Sequence, residues 1–140
     1  MSIAPAAFQF PVRVYWEDTD AGGIVFYANY LKFFERARTE WLRAAGVEQH
    51  QLREDTGIMF VVASTSLRYL APARLDDLLT ITVDPEPAGR ASLVVRQRAL
   101  RGDTLLADGE IRIGCVRAED LKPQRLPDIV QSAVVKAIAP

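Results

Sequence analysis

The stretch DTDAGGIVFYANYLKFFERARTEWLRAAG, residues 18–46, changes character about a third of the way along. Asp18, Asp20, Gly22 and Gly23 open it, with Glu17 immediately ahead, and these residue types favour tight turns and helix starts. From Tyr30 onward the pattern is helical. Tyr30, Phe34, Ala37, Trp41 and Ala45 recur at steps of three and four, while Lys32, Arg36 and Arg43 gather on the opposite side. Gly46 is a natural stop signal, so the spacing predicts a helix over 30–45. Its aromatic side needs an apolar surface to cover it.

The rest of the chain reads as that surface. Residues 8–16 are rich in aromatic and β-branched types and predict a first strand, with Pro11 tolerable near an edge or a bulge. After a short polar segment, 47–57, the period changes to two. Strand-like runs follow at 58–70, 78–84, 91–100 and 104–116, separated by Pro72, by residues 85–89 and by Gly102-Asp103. The last run alternates Leu105, Ala107, Gly109, Ile111, Ile113 and Cys115 against Leu106, Asp108, Glu110, Arg112 and Gly114, which predicts one buried and one largely polar face. Residues 127–138 form a candidate terminal helix with Pro127 in its first turn. At 140 residues the chain is one domain, 1–140, and the element order predicts an α+β fold in which one antiparallel sheet curls around a central helix.

Arg38 is the exception on that helix. At about 100° per residue it falls between Ala45 and Leu31, at the margin of the apolar side. An unpaired guanidinium there is costly, so an acidic partner is expected, either Glu35 or an acid of the opening loop.

Composition narrows the functional classes. Apolar residues make up 49% and charged residues 25%, the mix of an ordinary globular chain. A formal charge of −1, from 17 basic and 18 acidic side chains, leaves no global field for nucleic acid or an anionic membrane. Cys115 is the single cysteine, which excludes an internal disulfide and a multi-cysteine metal site and suits a reducing compartment. Within an alternating strand it reads as a small buried hydrophobe. Residues 1–11 hold no Lys or Arg and no apolar run of signal-peptide length, and nowhere do ~18 apolar residues follow one another. No integral membrane segment and a cytoplasmic location are expected.

Residues 17–23, taken alone, read equally well as an ordinary turn or helix cap. Their setting adds chemistry. Gly22 and Gly23 permit positive φ or close backbone approach, and they lead to a helix start whose free N–H groups favour anions and developing oxyanions. A carboxylate a few residues ahead of such donors supplies both halves of an acyl-transfer site. The acid serves as base or nucleophile, and the N–H groups polarise the carbonyl.

The segment 18–46 resembles the signature of hotdog-fold acyl-CoA thioesterases, in the 4-hydroxybenzoyl-CoA thioesterase family and closest to its Tol–Pal system-associated branch. The resemblance implies a hotdog fold over essentially the whole chain, a sheet wrapped around one long helix. It implies that Asp20, opening the D-x-x-G-I-V segment, is catalytic and that the backbone N–H of Tyr27 polarises the thioester carbonyl. The Tol–Pal-associated branch commonly carries His where this chain has Tyr27, whereas the 4-hydroxybenzoyl branch carries Tyr, so the acyl or aroyl group stays open. It also implies a homodimer or homotetramer with sites between subunits.

Other residues compete for these roles. Glu35 is the rival acid, because some hotdog thioesterases place a catalytic Glu on the central helix. Asp18 reads as a structural acid that caps or pairs. His50, the only histidine, sits in the polar run Glu48-Gln49-His50-Gln51, where a solvated side chain is the simpler reading, and a hotdog dehydratase would need a better placed histidine. One His and one Cys offer no metal-ligand spacing. Arg101-Gly102-Asp103 lies between two strands and reads as a hairpin turn. No phosphate-binding glycine motif is present, so coenzyme A phosphates would meet Gly22, Gly23 and arginines at strand ends, Arg68 and Arg74, with Arg90 a further candidate. The expected activity is hydrolysis of an acyl- or aroyl-coenzyme A, with coenzyme A as part of the substrate and no metal or redox cofactor. The alternative is a non-catalytic acyl-CoA or acyl-carrier binding module on the same fold.

Overall fold

The computed structural model describes residues 6–139; residues 1–5 of the N-terminal segment read above, and Pro140, lie outside them. The elements are β1 (Phe8–Arg13), α1 (Asn29–Ala44), α2 (Gln49–Thr56), β2 (Ile58–Tyr69), β3 (Leu78–Pro87), β4 (Ser92–Arg101), β5 (Thr104–Arg117) and α3 (Asp128–Ile138). The five strands form one antiparallel sheet in the order β1-β3-β4-β5-β2. β1 is an edge strand, which is where Pro11 costs no ladder bond.

α1 lies against the inner face of the sheet. Phe33, Phe34 and Ala37 are fully buried, and Tyr30, Trp41 and Leu42 nearly so. Facing them are Leu79, Ile81 and Val83 of β3, Val95 and Ala99 of β4, and Ala107, Ile111 and Cys115 of β5. The predicted apolar side was correct in position but too narrow, because Phe33 is as buried as Phe34. The outer face is charged, with Arg68–Asp108, Arg96–Glu110 and Arg98–Asp84 pairs laced across neighbouring strands. Cys115 is buried as expected, and burial pushes its thiol up to about 11.

The segment 47–57 holds a helix that its polar composition hid. α2 has no buried residue and is set by its ends. Glu48 accepts from the N–H groups of His50 and Gln51, and Gly57 closes the helix in the left-handed region at φ 72°. His50 is exposed, and its ring lies 3.8 Å from the Glu54 carboxylate. The strand boundaries also differ from expectation: β1 ends at Arg13 rather than at residue 16, where a single 3-10 turn, Trp16–Asp18, begins, while β3 continues to Pro87 and β5 to Arg117.

Arg38 departs from the sequence reading. Its partner within the chain is not an acid: Nη1 donates to Gln97 Oε1 at 2.9 Å, and the Gln97 amide donates to the carbonyls of Phe34 and Thr82. Gln97 sits where the β3–β4 ladder is interrupted between the Ile81–Ala99 and Asp84–Arg96 pairs, so a side chain replaces a missing backbone bond. Burial holds Arg38 below the ordinary guanidinium value, with the charge of Glu35 pulling the other way.

The helix seats on the sheet through one glycine. A Cβ on Gly109 would lie 2.3 Å from Leu67 Cδ2 and 3.1 Å from both Phe34 Cε2 and the Ser66 carbonyl. Gly109→Ala is therefore expected to lower stability by about 1–3 kcal/mol, the range for overpacking a filled core. Thermal unfolding checks this; an unchanged Tm would mean that Phe34 and Leu67 yield freely.

Candidate active site

The acidic loop becomes a short hairpin in front of α1. Thr19 pairs with Val25, the Asp20 N–H donates to the Ile24 carbonyl at 2.9 Å, and the Gly23 N–H returns to the Asp20 carbonyl at 3.0 Å. Gly23 takes φ 76°, which lets the turn close. Gly22 donates its N–H to Asp20 Oδ1 at 2.9 Å and orients that carboxylate.

The two aspartates, two residues apart, occupy opposite environments. Asp18 is buried, accepting from the Tyr15 N–H at 2.8 Å and from the Asn29 side-chain amide at 2.8 Å. Its carbonyl also accepts from the Phe26 N–H. Asp18 thereby ties the end of the first strand segment, the returning arm of the hairpin and the first residue of α1 to one point. Asp20 stays exposed at the hairpin tip.

The chain then turns into α1 through Phe26, Tyr27 and Ala28. Among the described residues, no protein group accepts from the N–H of Tyr27. α1 starts two residues later with no side-chain cap; the Asn29 and Leu31 N–H groups find the carbonyls of Phe26 and Ala28, which leaves the Tyr27 N–H as a free donor at the positive end of the helix dipole. The Tyr27 ring is 63% exposed. It packs against Phe26, with centroids 4.8 Å apart, and edge-on to Tyr69 at 6.2 Å, while Tyr69 leans on Tyr30 at 5.7 Å. Burial, then proximity to Tyr27, raises the Tyr69 phenol above its ordinary value. Tyr69 was not anticipated, since nothing in its own neighbourhood of the sequence couples the end of β2 to the loop.

Of the arginines expected near coenzyme A, the structure brings Arg74 to the loop. Ile24 pairs with Arg74, and the Val25 N–H donates to the Ala73 carbonyl. Asp77 holds that segment by accepting from the Arg74 N–H and from Arg101, both at 2.9 Å. Arg68 is elsewhere. Its guanidinium forms a two-bond pair with Asp108, Nε at 3.0 Å and Nη2 at 2.6 Å, on the outer face of the sheet. Glu35 is exposed on α1 and accepts from the Thr39 hydroxyl at 2.9 Å. The described residues contain no group of three or more His, Cys, Asp or Glu side chains placed to hold a metal ion.

One antiparallel sheet around a long helix has known counterparts. A profile of the thioesterase-like superfamily matches residues 14–134. The chain belongs to that superfamily. It is 42% identical over 126 residues to the acyl-CoA thioesterase YbgC of Haemophilus influenzae, covering 90% of this chain and 93% of that protein. It is 46% identical over 121 residues to the acyl-CoA thioester hydrolase YbgC of Escherichia coli O6:H1, covering 86% and 90%. The crystal structure of a 1,4-dihydroxy-2-naphthoyl-CoA thioesterase from Synechocystis superposes with a TM-score of 0.88 over 95% of this chain and 98% of that one. At 21% identity this likeness establishes the fold. The curled sheet is thus that of the hotdog thioesterases.

Within this superfamily member, Asp18 carries a testable structural role. In Asp18→Asn an amide replaces one acceptor oxygen with a donor, so either the Tyr15 N–H or the Asn29 amide loses its partner. A loss of about 1–3 kcal/mol is expected. Chemical denaturation would register it as a lower midpoint with an unchanged slope, and an unchanged midpoint would show that the clamp carries no stability.

Proposed function

We propose that this chain hydrolyses the thioester of an acyl- or aroyl-coenzyme A, with Asp20 as nucleophile or general base and the Tyr27 N–H as the oxyanion donor. The observation that supports the reading most strongly is the unpartnered Tyr27 N–H that follows the hairpin carrying the exposed Asp20, in a chain whose relatives are named acyl-CoA thioesterases. A thioester carbonyl placed on that N–H gains positive character at carbon, and the N-terminal dipole of α1 favours the negative charge that develops on oxygen. On the nucleophilic route an Asp20 oxygen adds to the carbonyl carbon. The tetrahedral intermediate expels coenzyme A thiolate, and water cleaves the resulting mixed anhydride to free acid and Asp20 carboxylate. On the general-base route Asp20 takes a proton from the attacking water, and the same collapse releases thiolate and acid. Neither route needs a metal or redox cofactor.

The remaining roles follow from position. Gly22 and Gly23 keep the loop backbone approachable, and Arg74 offers a cation to the phosphates of the coenzyme. Arg68 takes part only by leaving Asp108. The Tyr27 and Tyr69 rings supply an apolar wall for the acyl group. A homodimer or homotetramer is part of the same reading: β2 is an edge strand of 12 residues with no charge or proline between Ile58 and Leu67, an open ladder that a lone protomer would leave uncovered. A cytoplasmic setting accords with the single buried thiol, and no described helix is long and apolar enough to cross a membrane.

Thiol release from a panel of acyl- and aroyl-CoAs is the direct test. Turnover of at least one member is expected, and none on any member would leave a binding module. With a substrate that turns over, Asp20→Asn should lower kcat by ~10²-fold or more with little change in KM or stability. Glu35→Gln should keep near-normal kcat. The reverse pattern would move the catalytic acid from the loop to the helix.

A further inference from the structure

Both ends of the loop that carries Asp20 are tied to one segment of chain. The loop leaves β1 through Val14 and returns at Val25, and both residues are buried. Val14 donates its N–H to the Asp77 carbonyl at 2.9 Å, and its own carbonyl accepts from the Asp76 N–H at 3.0 Å. Val25 donates to the Ala73 carbonyl at 2.9 Å, and Ile24 bridges to Arg74. Ala73, fully buried, also donates its N–H to the hydroxyl of Tyr30, in the first turn of α1, at 3.4 Å. Residues 73–77, in the crossing from β2 to β3, are therefore a strap across both arms of the loop and the start of the helix. The bonds of Asp18 stay within residues 15–29, so the strap is what registers the returning arm against the sheet.

Regular structure does not shape this strap. Residues 70–77 lie outside every helix and strand, and Asp76 sits in the left-handed region at φ 70°, which is costly for a residue with a Cβ. Such a conformation persists where surrounding bonds over-determine it. Here they meet on one oxygen. Asp77 Oδ2 accepts from the Arg74 N–H and from Arg101 Nη1, both at 2.9 Å, which closes residues 74–77 on themselves and ties them to the end of β4. The same Arg101 nitrogen donates to the Pro72 carbonyl at 3.1 Å, so Arg101 grips the strap on both sides of Ala73 and Arg74. Burial pushes the Asp77 carboxyl up, but the Arg74 N–H and the Arg101 guanidinium outweigh it and hold the group below the ordinary carboxylate value.

We propose that Asp77 and Arg101 are positioning residues for the reaction: their bond locks the strap 73–77, and the strap sets where the hairpin presents Asp20. The inference rests on the catalytic reading of Asp20 given above. It gives a role to the arginine at the β4–β5 turn and to an acid that lies 57 residues from Asp20 in sequence. An acid on a hairpin tip must meet a carbonyl carbon in one orientation, and a shift of about 1 Å in such a group lowers the rate far more than it lowers binding.

Hydrogen exchange and kinetics on the full chain test the two halves separately. In Asp77→Ala and in Arg101→Ala the Val14 and Val25 amides should exchange about 10-fold faster or more, while amides of α1 and β5 keep their protection. With an acyl-CoA that the wild type turns over, both variants should lose about 10-fold to 10²-fold in kcat per folded molecule, and kcat/KM should fall in parallel. The double variant should be no slower than the slower single one, because both substitutions break one bond. Asp77→Asn keeps an oxygen that can accept both bonds and should recover most of the lost rate. Unchanged exchange at Val14 and Val25 overturns the strap. Faster exchange with kcat within about twofold of wild type overturns the positioning role, and so does an Asp77→Asn variant as slow as Asp77→Ala. Should Asp77→Ala not fold, Arg101→Ala decides by the same two readings. A wild type that turns over no thioester removes the catalytic reading and the positioning role together, whereas failure of the strap alone leaves wild-type turnover in place.

Discussion

Phe33 and Phe34 have no contact with solvent, and most of this architecture follows from hiding them. Two adjacent aromatic residues on a 16-residue helix need cover over a wide arc, which a flat sheet pressed on one side does not provide. The five strands curl around the helix instead, and Gly109 leaves the space in which the Phe34 ring approaches β5. Once the aromatic side is seated, the helix axis, and with it the position of the first turn, is set by packing. The loop that precedes α1 is held relative to the sheet by the same contact.

The division of labour between Asp18 and Asp20 depends on that placement. Asp18 points inward and is engaged by the Tyr15 N–H and the Asn29 amide, so it stabilises the loop and is buried away from a ligand. Asp20, across a two-residue step, points outward and is held only by the Gly22 N–H. The helix start that follows has no side-chain cap, at the cost of some helix stability, and the Tyr27 N–H ahead of it has no acceptor among the described residues.

The sequence was most informative where one physical rule acts over a short span. The recurrence of Tyr30, Phe34, Ala37 and Trp41 located α1, and strict alternation located β5, because burial on one face is written directly into spacing. The Asp-Ala-Gly-Gly turn ahead of a helix pointed to the loop for the same reason. Features set by distant partners were hidden. α2 has no apolar stripe and is held by its ends, so periodicity passed over it, although Glu48 and Gly57 marked both termini. Arg38 was correctly placed at the helix margin, but its neutral partner Gln97 lies 59 residues away, at an inward position of β4 where a buried polar residue breaks the apolar pattern. Arg68 looked available because its pairing with Asp108 depends on the β2–β5 register, which no local pattern encodes. Within the loop, the turn and its glycines were legible; the ring of Tyr69, delivered by the far end of β2, was not.

The account turns on where the thioester carbonyl rests. A crystal structure of Asp20→Asn with a non-hydrolysable acyl-CoA analogue measures this directly. The carbonyl oxygen should lie within about 3 Å of the Tyr27 nitrogen, with the carbonyl carbon facing residue 20. An analogue whose carbonyl sits instead against Glu35, with the Tyr27 N–H still open to solvent, would contradict the account.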